Sequence, residues 1–271
     1  MRRRRQDFNK ILEFYRELKK IEGINCRFVI EEIFSEKFER LLVLKRIDNR
    51  KVRRFQRILN LLKRGESPEY IFNKAIFFGE EFYIEKGIFI PREETVEVLN
   101  YLKNLNNQGF KPEKILDFGT GTGILAIWAK RIFNDSEVIA VDYSKKACKC
   151  ALINSKDKKV KIKILRAKNF RIFKQKFDLI ITNPPYLSEE EYRKFGPFRG
   201  ESKKALLGGK KGYEIFLKWL KDGLKILKEG GVFISEISSF WDKEILGEFR
   251  KYLVEEKRDF FKNKRLWVFR K

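Results

Sequence analysis

Histidine is absent from this chain of 271 residues, methionine occurs once, and cysteine only three times, at Cys26, Cys148 and Cys150. Three thiols cannot make a disulfide framework, and Cys148 with Cys150 lacks the histidine company of a zinc site. A reducing, cytoplasmic setting is expected. No run approaches the roughly 18 uncharged apolar residues of a membrane span. Behind the basic residues Arg2 to Arg5 there is no apolar segment of the secretory kind, and Glu13 and Glu17 argue against a transit peptide. Internal repeats and low-complexity linkers are also missing.

Positive charge is in excess. The 62 Lys and Arg against 38 Asp and Glu leave a net charge of +24. Such a balance draws an acidic partner: nucleic acid, a ribonucleoprotein or an acidic protein. The excess runs through the whole chain, somewhat denser before Glu66, and much of it is Lys beside Glu on solvated helix faces. Abundant Lys, Glu, Ile and Phe resembles a thermophile's composition.

Two regions follow from periodicity. Phe8, Ile11, Leu12, Tyr15 and Leu18 recur at helical spacing, and further apolar periodic stretches cover Ile30 to Ile47 and Val52 to Leu62. Gly65 and Pro68 then punctuate the chain, so residues 1–72 read as a small helical domain. Within it Arg2 to Arg5 read as a solvated helix entry rather than a nucleic-acid arm. The stretch AIFFGEEFYIEKGIFIP alternates around Gly79 and Gly87, predicting a hairpin linker over 73–92. Thr95 to Leu105 reads as a helix. Strands are predicted at Lys114–Phe118, Glu137–Val141, Lys161–Leu165, Phe177–Ile181, Val232–Ile237 and Arg265–Phe269. Alternating with helices, they make residues 93–271 an α/β domain with a parallel sheet.

The stretch ILDFGTGTGILAIWAK sets Gly119, Gly121 and Gly123 between a strand and a helix, where backbone can approach a ligand and N–H groups gather at a helix start. The spacing is not that of the dinucleotide fingerprint. Asp117 precedes the loop; a carboxylate there repels a pyrophosphate and attracts an ammonium group. Asp142, ending the next strand in EVIAVDYS, is placed to accept from both hydroxyls of a ribose. Glycine loop and two acids together describe a nucleoside with an amino-acid tail, which is S-adenosylmethionine.

The strand FDLIIT delivers Asn183, Pro184, Pro185 and Tyr186 to the carboxyl edge of the sheet. Prolines offer carbonyls without competing N–H donors. The Asn183 side-chain oxygen and a proline carbonyl make a pair of acceptors for the two hydrogens of a planar –NH2 group, with Tyr186 as a stacking face. Orientation and electrostatic stabilisation carry the chemistry, so no dedicated base is needed and the lack of histidine is no objection. Glutamine amides and the amino groups of adenine or guanine both satisfy this corner.

The segments DFGTGTG, VDYS and TNPPYL resemble the class I methyltransferases of planar nitrogens. From about Gly65 onward, GESPEYIF, FIPREETVEVL, ALLGGKKGYEIF, GGVFISEI and KNKRLWVFRK resemble the HemK/PrmC family of protein-(glutamine-N5) methyltransferases. That resemblance implies a Rossmann-like α/β sheet and a small all-helical N-terminal domain for substrate recognition, joined by a β-hairpin linker. It implies S-adenosylmethionine bound by Asp117, Gly119, Thr120, Gly121, Gly123 and Asp142, with Asn169 at the adenine and Asn183 beside the cofactor. Asn183, Pro184, Pro185 and Tyr186 would hold the substrate glutamine, with Phe89 and Arg92 on the substrate side. The implied partner is a peptide chain release factor, methylated in its Gly-Gly-Gln loop. A nucleic-acid amino group or a ribosomal-protein glutamine is the alternative acceptor. A monomer is expected, without membrane or metal. Departures from the family pattern are Glu93 for proline, Val96 for Glu, Lys168 for the acid after the third strand, and Ser238 and Trp241 for Gly and Gln.

Overall fold

The computed structural model describes residues 2–43, 47–196 and 200–271; the side chains of residues 2–9 and 195 lie outside the description. The chain forms two compact units, Met1–Lys74 and Ala75–Lys271.

The first unit is helical, with α1 (Arg2–Lys19), α2 (Cys26–Phe34), α3 (Phe38–Leu41), α4 (Asn49–Lys63) and α5 (Pro68–Phe72). Apolar residues at helical spacing close over one core of Ile11, Leu18, Ile30, Ile33, Phe55 and Leu62. Phe14 stacks on Phe55 at 3.9 Å. Side-chain caps start two of the helices: Asn25 accepts from Phe28 N–H at 3.1 Å and Asp48 from Arg50 N–H at 2.8 Å. The periodic stretch from Ile30 to Ile47 is not one helix. Ser35 takes a left-handed conformation (φ 54°) that ends α2, and extended Lys37 restarts the chain as α3. Residues 44–46 of that stretch lie outside the described residues. Arg2 to Arg5 belong to α1 itself, which begins ahead of Phe8.

The second unit begins with the hairpin of β1 (Lys74–Phe77) and β2 (Glu80–Tyr83). Its two-residue turn has Phe78 at φ 50° and Gly79 at φ 78°, the handedness that matches strand twist. An irregular strap runs through Gly87 to Arg92, then a short 3-10 turn, Glu93–Thr95, leads into α6 (Val96–Asn107).

A seven-stranded sheet follows, made of β3 (Lys114–Phe118), β4 (Glu137–Asp142), β5 (Lys163–Arg166), β6 (Phe177–Thr182), β7 (Leu227–Glu236), β8 (Leu253–Arg258) and β9 (Lys264–Arg270). Its order is β5-β4-β3-β6-β7-β9-β8, parallel from β5 to β7 with β9 antiparallel to both of its neighbours. Strand order reverses between β3 and β6, and open α/β sheets bind ligands beyond the carboxyl ends of strands at that switch. The glycine loop leaves β3 there and Asn183 leaves β6.

Helices α7 (Ile124–Ile132), α8 (Lys145–Asp157), α9 (Glu189–Phe195), α10 (Lys203–Leu206) and α11 (Glu214–Ile226) complete the unit. Alternate strand residues feed two cores: Ile115, Leu179 and Ile181 pack with α6 and α7, while Leu116, Ile180 and Phe233 pack with α11. Cover on both faces explains the unbroken apolar runs of the central strands. No helix among the described residues is long and apolar enough to cross a membrane.

Candidate active site

The glycine loop is held by its own backbone. Gly119 and Thr120 N–H both donate to the Val141 carbonyl, at 2.8 and 2.9 Å, and Gly121 N–H donates to Asp142 Oδ2 at 3.1 Å. These three donors are therefore engaged within the protein rather than offered to a ligand. All three glycines have positive φ, 83°, 55° and 84°. A Cβ on Gly119 would come 2.9 Å from the Trp219 ring, and one on Gly123 would come 2.9 Å from the Ala151 side chain. Gly121 differs: nothing lies within 4 Å of a Cβ there, because its open side faces a cavity.

Two carboxylates flank the loop. Asp142, almost fully buried, accepts Gly121 N–H on one oxygen and Ser144 N–H on the other at 2.8 Å, and it lines the cavity. Burial raises its pKa, against the pull of those backbone donors. Asp117 lies beneath the loop, completely buried and not on the cavity wall. Its Oδ2 accepts from Thr120 Oγ at 2.6 Å and Ala126 N–H at 3.1 Å, while Oδ1 has no hydrogen-bond partner. Burial pushes this carboxyl up to about 7, and the charge of Asp142 adds to the rise.

Asn183, Pro184, Pro185 and Tyr186 line the same cavity, which has a volume of about 800 Å³. The Asn183 amide is fixed from behind. Its nitrogen donates to Glu236 Oε2 at 2.9 Å and to Thr95 Oγ at 3.4 Å, and Thr95 Oγ donates to Glu236 Oε2 at 2.8 Å. With the amide nitrogen turned toward this pair, the amide oxygen remains as the acceptor of the side chain. Glu236 is fully buried, and burial pushes its carboxyl up to about 7; Thr95, Arg265 and Asn183 oppose that shift and Glu94 adds to it.

Behind the prolines, Gly208 and Gly212 let bare backbone close in. A Cβ on Gly208 would run into the carbonyl oxygens of Gly212 and Pro185, and one on Gly212 would sit 2.6 Å from the Tyr186 carbonyl. The Pro185 carbonyl is thus packed against this loop, and both prolines line the cavity. Burial raises the Tyr186 hydroxyl, with Glu236 contributing, so the ring stays neutral.

The linker supplies the opposite wall. Phe89 and Arg92 both line the cavity, and the guanidinium sits 5.2 Å from the Phe89 ring. Arg92 is held by Glu201 at 2.7 Å, whose other oxygen accepts Ile90 N–H at 2.9 Å. Three of the predicted cofactor residues, Asp117, Gly123 and Asn169, do not line the cavity. Asn169 lies off the cavity wall, and its Oδ1 caps the short 3-10 turn by accepting from Arg171 N–H at 3.1 Å. Lys168 lines it instead, and the following Phe170 is buried, stacked on Phe118 at 3.9 Å. Thr95 and Glu236 were not singled out from the sequence. The available signal was an isolated acid in the apolar strand GGVFISEI, since a buried carboxylate is costly unless it is bonded.

A parallel sheet of this order, with a glycine loop, a second acid and an Asn-Pro-Pro-Tyr corner on one cavity, is the arrangement of the class I methyltransferases. The fold is shared with the ribosomal protein L11 methylase of Lactobacillus delbrueckii subsp. bulgaricus, at a TM-score of 0.51 and 20% identity over 68% of this chain and 82% of that one. The family model "Methyltransferase small domain" matches residues 85–198. The release factor glutamine methyltransferase of Dictyoglomus turgidum is 32% identical over 237 residues, 78% of this chain and 80% of that protein. Its counterpart in Borreliella burgdorferi is 32% identical over 84% of this chain and 81% of its own length. The chain belongs to the release factor glutamine methyltransferase family.

Proposed function

We propose that this protein transfers a methyl group from S-adenosylmethionine to the side-chain nitrogen, N5, of a glutamine in the Gly-Gly-Gln loop of a peptide chain release factor. The observation that carries this reading is the Asn183 amide, locked by Glu236 and Thr95 so that its oxygen is the acceptor offered to the cavity.

The residues present fit the cofactor. Asp142 supplies acceptors for ribose hydroxyls and Gly121 gives open backbone on the cavity wall, while Asp117, buried beneath, holds the loop through Thr120 and Ala126. When bound, S-adenosylmethionine supplies an electrophilic methyl on a positively charged sulfur. The protein's task is to present a weak nucleophile in one orientation. Asn183 Oδ1 and the Pro184 carbonyl take one hydrogen each from the substrate –NH2, and Tyr186 backs its plane. Both acceptors favour positive charge growing on that nitrogen, in a preorganised site where such interactions are strongest. Neither holds a proton at neutral pH, so the released proton passes to water.

Incubation with methyl-labelled cofactor and, separately, release factor, ribosomal protein and RNA fractions tests the assignment. Label is expected on the glutamine of the release factor; label on RNA alone would overturn it. A nucleobase amino group is the second reading. It is favoured by Lys168, Lys203, Lys204 and Lys218, which line the cavity with no carboxylate paired to them among the described residues.

A further inference from the structure

Strand β9 runs antiparallel to β7 and β8, so the β8–β9 turn opens at the same edge as the carboxyl end of β7. Leu266 is the partner of both Glu236 and Lys257, which puts residues 258–264 beyond the row that holds the Asn183 network. At the tip, Phe260 is 93% exposed and Phe261 80%, with the rings edge to face at 5.6 Å. Phe240, on the loop that follows β7, is 75% exposed. Among the described residues only Val43, in the other unit, is comparably exposed for a large apolar side chain. Three bare phenylalanines on the reactive edge are not scattered surface residues.

Their supports are rigid. Asp259 N–H donates to the Asn263 carbonyl and Lys262 N–H to the Asp259 carbonyl, both at 2.9 Å; Arg258 donates to the Lys262 carbonyl at 3.0 Å. Lys264 donates to the Trp241 carbonyl at 2.8 Å and pairs with Asp242 at 2.6 Å, which clamps the Phe240 loop to the hairpin. A patch already ordered loses little freedom on docking.

The charges around it are largely neutralised inside the protein. Lys257 pairs with Glu255, Arg258 with Glu256, and Arg265 with Asp259. A nucleic-acid strand needs free cations along its path, and here only Lys262 is without a carboxylate among the described residues. An apolar, charge-compensated, rigid patch fits a protein surface.

We propose that Phe240, Phe260 and Phe261 form a docking patch for the protein that carries the methylated glutamine, seating in apolar pockets of that protein beside its acceptor loop. This rests on the glutamine reading given above. In the full-length enzyme, Phe260→Ser with Phe261→Ser is expected to raise KM for intact release factor by about tenfold, as loss of exposed aromatic anchors does. The kcat and the dissociation constant for S-adenosylmethionine should hold, and Phe260→Tyr with Phe261→Tyr should restore wild-type KM. An unchanged KM overturns the proposal. So does a loss confined to RNA binding, or a wild-type dimer that the serine variant breaks without moving KM. A wild-type enzyme that labels no protein at all removes the glutamine reading itself, and that failure is distinct because it appears before any variant is made.

Discussion

In the proposed mechanism Asn183 selects an –NH2 group, and that role requires an amide that cannot turn over. An asparagine offers an oxygen or a nitrogen to its surroundings with little difference in shape, and Glu236 with Thr95 removes that ambiguity. Asn183→Ala is expected to abolish methyl transfer while calorimetry still shows cofactor binding; loss of cofactor binding in a folded variant would make Asn183 a cofactor residue. Glu236→Ala should lower kcat by about 10–100-fold, the cost of a small misplacement in a positioned site, with the cofactor dissociation constant unchanged. The corner was legible because paired prolines after an apolar strand are chemically unusual. Glu236 was not, since the sequence GGVFISEI does not say which face of the strand its acid occupies or that Thr95, 141 positions earlier, will meet it. Asn169 lies off the cavity wall, its side-chain oxygen engaged by the Arg171 N–H two residues on.

At the level of elements, the three loop glycines separate by what their missing side chains would meet. Gly119→Ala and Gly123→Ala put a methyl against Trp219 or Ala151 at positive φ, and with both costs added each should destabilise the fold by about 2–5 kcal/mol in urea titration. Gly121→Ala meets no protein atom, so its stability cost should be near the ~1–2 kcal/mol of the left-handed backbone alone. Its methyl projects into the cavity, and the larger effect should be weaker cofactor binding in calorimetry. Equal loss of affinity from all three without loss of stability would contradict this division. The central strands were legible, with Lys114–Phe118 read to the residue, because cover on both faces demands unbroken apolar runs. Strand β8 was not: LVEEKR lies at the sheet edge, mostly half exposed, and its charges mask the pattern. The break between α2 and α3 was missed because a serine in the left-handed region leaves apolar periodicity almost undisturbed.

For the whole molecule, the lack of histidine removes the usual titrating group of the neutral pH range, and two buried carboxyls fall within it instead. Asp117 and Glu236 both sit at about 7 in the folded protein, well above their unfolded values. Between roughly pH 4.5 and 7 the folded state therefore holds protons that the unfolded chain has released, so stability falls as pH rises through that window. The melting temperature is expected to be higher at pH 5.5 than at pH 8, and the slope should flatten in Asp117→Asn; a stability that rises with pH would refute this origin. ATP presents the same adenosine as S-adenosylmethionine. The engaged N–H groups of Gly119, Thr120 and Gly121 offer its phosphates no donors, and Asp142 meets them with like charge. Three backbone hydrogens already spent inside the loop thus weigh against a phosphate-bearing carrier of adenosine.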